Sequence, residues 1–162
     1  MQFKLVPPAP DDLGVVADAQ RAVPLVPDSE DDCCERLIRR VGFPSRDAAR
    51  TWLTFLRALE LATETPGGFK RLRNDPTPDH LRDAFVRRVF TAEELLAVLD
   101  DAEEPVSADE AYDRVRDRVP QWEHFKNPNR WEEIWRERVG DVLEWFVLLD
   151  LAERLEDGYV RC

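Results

Sequence analysis

Residues 59–71 read LELATETPGGFKR, and residues 149–161 read LDLAERLEDGYVR. The second stretch follows the first at an offset of 90 residues, without a gap, and five of the thirteen positions are identical. Glu60 pairs with Asp150 and Phe69 with Tyr159, which keeps the side-chain chemistry at two more. Both stretches follow an apolar run at helical spacing, and both carry a turn signal followed by an aromatic residue. Self-similarity at a fixed offset marks a repeated structural unit. Pro66-Gly67-Gly68 suits a turn that needs a positive φ after proline, and Asp157-Gly158 is a strong hairpin dipeptide. Each stretch therefore predicts the end of a helix, a short strand, a tight turn and a second short strand.

Working outward, the chain reads mostly as helices. Asp11–Arg21 is a candidate helix, ended by the breaker stretch PLVP. Ser29–Val41 opens with an N-cap serine and first-turn acids, then places Cys33, Leu37, Ile38 and Val41 at helical spacing. Only GFPS separates it from the next helix, which Ser45 caps and which runs to about Leu59. The segment NDPTP after Arg73 is a breaker and predicts a boundary, giving units 1–75 and 76–162. Beyond it the sequence predicts helices at about Asp79–Val89 and Thr91–Ala102, the second opened by the capping box TAEE. A short extended piece, Glu103–Val106, leads to a second capping box, SADE, and a helix to about Val119. The polar, aromatic loop PQWEHFKNPN then precedes a long apolar helix from about Arg130 to Leu149.

The expected fold class is mainly α with small β-hairpins (α+β): two winged helix-turn-helix-like units packed in tandem. Helix, helix, short turn, helix, hairpin is the order of such a unit. SEDDCCERLIRRVGFPSRDAARTWLTFLRALELATETPGGFKRLR carries it in the first half. FTAEELLAVLDDAEEPVSADEAYDRV and VLEWFVLLDLAERLEDGYVRC carry it in the second. On these stretches the chain resembles tandem winged-helix proteins of halophilic archaea. The second half departs from the pattern in its long connection VPQWEHFKNPNRW. The resemblance implies double-stranded DNA as partner, with the third helix in the major groove and the wing on the backbone. Winged helices also serve as protein-interaction modules.

The residues discriminate between the two halves. On a helical wheel at about 100° per residue, Phe55, Ala48, Leu59, Trp52, Leu56, Ala49 and Leu53 fill one arc of the first unit's third helix. Arg46, Arg57, Arg50 and Thr54 crowd the opposite side. Residues 36–73 hold nine bases and three acids, in a chain whose net charge is −11. The candidate DNA contacts are Ser45, Arg46, Arg50, Thr54 and Arg57 on the helix with Lys70, Arg71 and Arg73 on the wing. Arginine suits bidentate contact with guanine or phosphate, and wing cations position without reading sequence. The competing reading is an exposed face whose arginines pair with neighbouring acids. The corresponding helix of the second half carries Glu133, Glu137, Asp141 and Glu144 opposite a broad apolar arc, a face that repels phosphate. Trp122, Phe125, Trp131, Trp135 and Trp145 are its candidate interface residues, for a homodimer or another partner.

Composition closes off other classes. Of 23 bases only Lys4, Lys70 and Lys126 are lysines, against 34 acids, a balance similar to that of proteins from salt-loving archaea. The acidity then speaks to solubility in a salty cytoplasm rather than to substrates. Cys33, Cys34 and Cys162 form no CxxC pair, so no metal site is expected, and Cys33 and Cys34 read as buried small apolar residues. His80 and His124 belong to no catalytic motif, and no glycine-rich phosphate loop exists. The expectation is a cytoplasmic, non-enzymatic DNA-binding regulator with no cofactor, no membrane association and no evident small-molecule ligand. The alternative is a protein–protein scaffold built from winged helices.

Overall fold

The computed structural model describes residues 2–162. The chain divides into two compact units, Met1–Val89 and Phe90–Cys162. In the first, α1 (Gly14–Ala22), α2 (Glu30–Val41) and α3 (Arg46–Ala58) are followed by an antiparallel hairpin, β1 (Ala62–Thr65) and β2 (Gly68–Arg71), and by α4 (Pro78–Arg88). In the second, α5 (Ala92–Asp101), α6 (Ala108–Val115), a single 3-10 turn (Arg116–Arg118), α7 (Gln121–Lys126) and α8 (Trp131–Leu148) lead to the hairpin of β3 (Ala152–Leu155) and β4 (Gly158–Arg161).

The 90-residue offset holds through three levels of structure. Hairpin register is the same: Ala62 opposite Arg71 and Thr65 opposite Gly68, Ala152 opposite Arg161 and Leu155 opposite Gly158. Helix termination is the same: Glu60 (φ 60°) and Asp150 (φ 59°) both take the left-handed conformation that ends a helix. Core positions are the same: Ala49, Trp52, Leu53, Phe55, Leu56 and Leu59 are buried, and so are Val139, Val142, Leu143, Trp145, Phe146 and Leu149. The helix wheel thus names the packed face of α3 correctly.

Each hairpin has a third partner of a single residue. Asp28 exchanges both backbone hydrogen bonds with Phe69 (3.0 and 2.7 Å), and Val106 does the same with Tyr159 (2.9 and 2.8 Å). The Val106 strand is expected from EEPV; the Asp28 bridge is not, because one residue carries no alternation to read. These bridges explain the glycines. Gly68 (φ 121°) and Gly158 (φ 145°) open β2 and β4 where the Asp28 and Val106 backbones press against the hairpin. Pro66-Gly67 and Glu156-Asp157 form the turns themselves.

Capping follows the sequence at three helices. Ser29, Ser45 and Ser107 each accept the backbone N–H three residues on, at 3.1 Å. TAEE is a correction: Thr91 sits at φ 67°, makes no cap hydrogen bond, and is buried. Only Val89–Thr91 join α4 to α5, and in this short connection Thr91 takes a left-handed backbone instead of the extended one a cap needs. The connection read as a loop contains α7, too short to show periodicity. The unit division also falls after Val89 rather than at NDPTP. α4 belongs with the first unit because Phe85 meets Phe55 edge-on at 6.1 Å and Glu60 takes ion pairs from Arg87 and Arg88 (2.7 and 2.9 Å). Phe3 closes the unit by pairing with Val89.

Candidate nucleic-acid interface

α3 presents its arginines outward, as its periodicity requires, but not as free cations. Arg46 is ion-paired with Asp31, and Arg50 with Glu30 (2.9 Å) and Asp47 (3.3 Å). Glu30 and Asp31 are first-turn acids of α2, so the residues that complement one helix dipole also neutralise the next helix's cations. Arg57 reaches Glu64 on β1 (3.6 Å) and lies over the Phe3 ring (5.5 Å), which ties the helix to its hairpin. Thr54 is partly exposed and Ser45 is committed to its cap. The partner acids could not be assigned from sequence, since the pairing needs the angle between α2 and α3. The only local signal is that the acids fall in a helix start.

The second unit shows which of these features belong to the fold. Arg46 corresponds to Arg136, which pairs with Asp109 (3.2 Å), a first-turn acid of α6 just as Asp31 is of α2. Arg71 corresponds to Arg161. Arg71 donates from Nε to the Val23 carbonyl (3.0 Å) and Arg161 from a terminal nitrogen to the Leu151 carbonyl (2.8 Å). Arg46 and Arg71 therefore have structural counterparts. Arg50, Thr54, Arg57 and Lys70 do not: at the same offset stand Gly140, Glu144, Val147 and Val160. Arg73 has no counterpart within the sequence. It is exposed, and no ion pair to Arg73 or Lys70 is found among the described residues.

Charge separates the units further. Residues 1–89 hold 14 bases and 14 acids, and residues 90–162 hold 9 bases and 20 acids, so the whole net charge of −11 sits in the second unit. On α8 the acids crowd one face. Burial first, then the neighbouring carboxylates Glu137 and Glu144, push the Asp141 carboxyl up to about 6. Glu144 goes the other way: burial alone would raise it, but hydrogen bonds from Arg154 and Tyr159 hold it low. In an unfolded chain Asp141 titrates at about 3.9. The fold binds the protonated form better, so this group's contribution is present below that value and is lost as pH rises through about 6. Asp141→Asn should flatten this slope, raising the melting temperature at pH 8 more than at pH 4; paired thermal melts measure it.

Of the candidate interface residues, the structure separates two sets. Trp135 and Trp145 are 2% and 0% exposed and fill the second unit's own core. Trp122 and Phe125, on α7, are 52% and 77% exposed, and Trp131 is partly exposed, stacked on His124. The thiols of Cys33 and Cys34 are buried, which pushes Cys33 up to about 11 and keeps it a packing residue. No helix among the described residues is long and apolar enough to cross a membrane, and none of their His, Cys, Asp and Glu form a metal-binding group.

All of residues 1–162 match a family model described as the halobacterial double winged helix domain. No curated protein and no solved structure matches the chain.

Proposed function

Since the chain belongs to the halobacterial double winged helix domain family, we propose that it is a non-enzymatic, DNA-binding transcriptional regulator whose first unit contacts double-stranded DNA. One observation carries this reading: on the third helix and second wing strand of the first unit and just beyond, Arg50, Arg57, Lys70 and Arg73 are cations with none at the equivalent place in the second unit. The contact set is those four with Thr54, while Arg46 and Arg71 have an arginine at the equivalent position of the second unit and so do not distinguish the first. The ion pairs to Glu30 and Asp47 do not block this, because pairs this exposed are worth about 0–1 kcal/mol and a phosphate can replace the acid. At molar salt the Debye length is about 3 Å, so base contacts must carry more of the affinity than phosphates do.

The second unit, with acids on α8, is the arm for homodimerisation or docking, through Trp122 and Phe125. The test is electrophoretic retention of the full chain at high salt on a randomised duplex pool. Arg50→Glu with Lys70→Glu should abolish retention, and retention equal to the wild type would refute the assignment. Sedimentation of the same samples reports the dimer. A second reading has its own support: Arg50 already holds two carboxylates, so this face accepts acidic side chains. Stoichiometric capture of one acidic protein, with no duplex preference, would favour the scaffold.

A further inference from the structure

The connection between α6 and α8 is where the second unit departs from the first. α2 and α3 are joined by residues 42–45, whereas α6 and α8 are separated by residues 116–130. The winged-helix core does not need this length, as the first unit shows. Long, structured loop insertions carry function more often than stability.

The insertion differs in charge from its surroundings. Residues 114–130 hold five bases, Arg114, Arg116, Arg118, Lys126 and Arg130, against two acids, Asp117 and Glu123, inside a unit of net charge −11. It also borders a solvent-open hollow of about 590 Å³, lined by Arg116, Arg118, Gln121, His124 and Trp131 with Asp117 as its one acid. That volume falls within the range of small-ligand sites, roughly 300–1,000 Å³. Two aromatic rings stand together in its lining: His124 and Trp131 stack with centroids 3.7 Å apart and planes 16° apart. The Arg116 guanidinium lies over the Trp131 ring at 5.5 Å. Arg118 is held by Glu94 (3.2 Å) but keeps its side chain 58% exposed.

Flat rings and guanidinium groups in one hollow suit one kind of ligand. We propose that this hollow binds a nucleotide. The base stacks on the His124–Trp131 wall, Gln121 supplies hydrogen bonds to its edge, and Arg116 and Arg118 take the phosphate. Stacking of a base on an aromatic side chain does not depend on charge, so this part of the binding persists at high salt. The same chemistry is presented by a free nucleotide and by the exposed end of a single strand.

Adenosine monophosphate and a 5′-phosphorylated thymidine hexamer should each be titrated into the full chain at high salt. The Trp131 indole N–H resonance, assigned through Trp131→Leu, is the readout. A saturable shift with both is expected, and tighter binding of the hexamer would identify a strand end as the source. Arg118→Gln removes an exposed cation and should weaken binding about tenfold. Arg50→Glu, in the other unit, should leave it unchanged, which keeps this result separate from duplex binding. No saturable response to either probe, or binding by Arg118→Gln equal to that of the wild type, would overturn the proposal.

Discussion

Gly158→Ala should destabilise the second unit by about 3 kcal/mol or more. Three causes act together. At φ 145° an L side chain is strained, at a cost of about 1–2 kcal/mol. An added Cβ would stand 2.5 Å from the Val106 carbonyl carbon and oxygen and 2.8 Å from the Ser107 nitrogen, and none of these is a side chain that can swing away. Moving that backbone breaks the two Val106–Tyr159 hydrogen bonds, each worth about 1 kcal/mol. For a domain of this size the melting temperature should fall by more than about 10 °C. Gly68→Ala should behave alike, since the Asp28 carbonyl occupies the same place against the first hairpin. Gly42→Ala is the control: φ is 91°, but nothing lies within 4 Å, so only the backbone term of about 1 kcal/mol remains. Thermal melts of the three variants separate strain from collision. A Gly158→Ala loss no larger than that of Gly42→Ala would mean the bridge yields freely.

Phe55→Ala should cost about 3–5 kcal/mol, the range for emptying a buried aromatic site. Phe55 is wholly buried and meets Trp52 at 5.7 Å and Phe85 at 6.1 Å, both edge-on, so its removal strips contacts from α3 and from α4 at once. Trp145, at the equivalent position of α8, is equally buried, and Trp145→Ala should cost a similar amount. Against a typical total of about 5–15 kcal/mol, either loss approaches unfolding. Phe55→Leu, which keeps most of the volume, should cost less than about 1.5 kcal/mol. Urea titrations give the comparison through their midpoints, provided the slope is unchanged. Equal midpoints for Phe55→Ala and Phe55→Leu would show that the site collapses around the hole.

Features legible in the sequence were those fixed by local spacing. The hairpins, the serine caps at Ser29, Ser45 and Ser107, and the buried face of α3 each follow from a periodic or dipeptide rule. What escaped was set by distant neighbours. TAEE has the spacing of a capping box, yet Thr91 takes a left-handed backbone in the three-residue connection after α4 and makes no cap. Arg46 and Arg50 sit on the outward arc as the wheel requires, but only the packing of α2 on α3 brings Glu30 and Asp31 to them. Arg71 lies on the wing as its sequence position requires, and its Nε bond to the Val23 carbonyl comes from a residue 48 positions away that no local rule signals. The hollow beside α7 was invisible for the same reason: its lining comes from a turn, a short helix and the start of α8, none of which has a sequence period.

The gapless 90-residue correspondence bears on how such a protein changes over time. Helix end, left-handed stop, strand register and anchoring arginine recur as a set, so a mutation in any of them is judged by the same constraints in both copies. Lys70 and Val160 occupy one register position and fall outside that set. Surface charge on a wing can therefore drift, or be selected, without renegotiating the scaffold. A repeated pair built this way can specialise one unit while the other keeps the shared architecture intact.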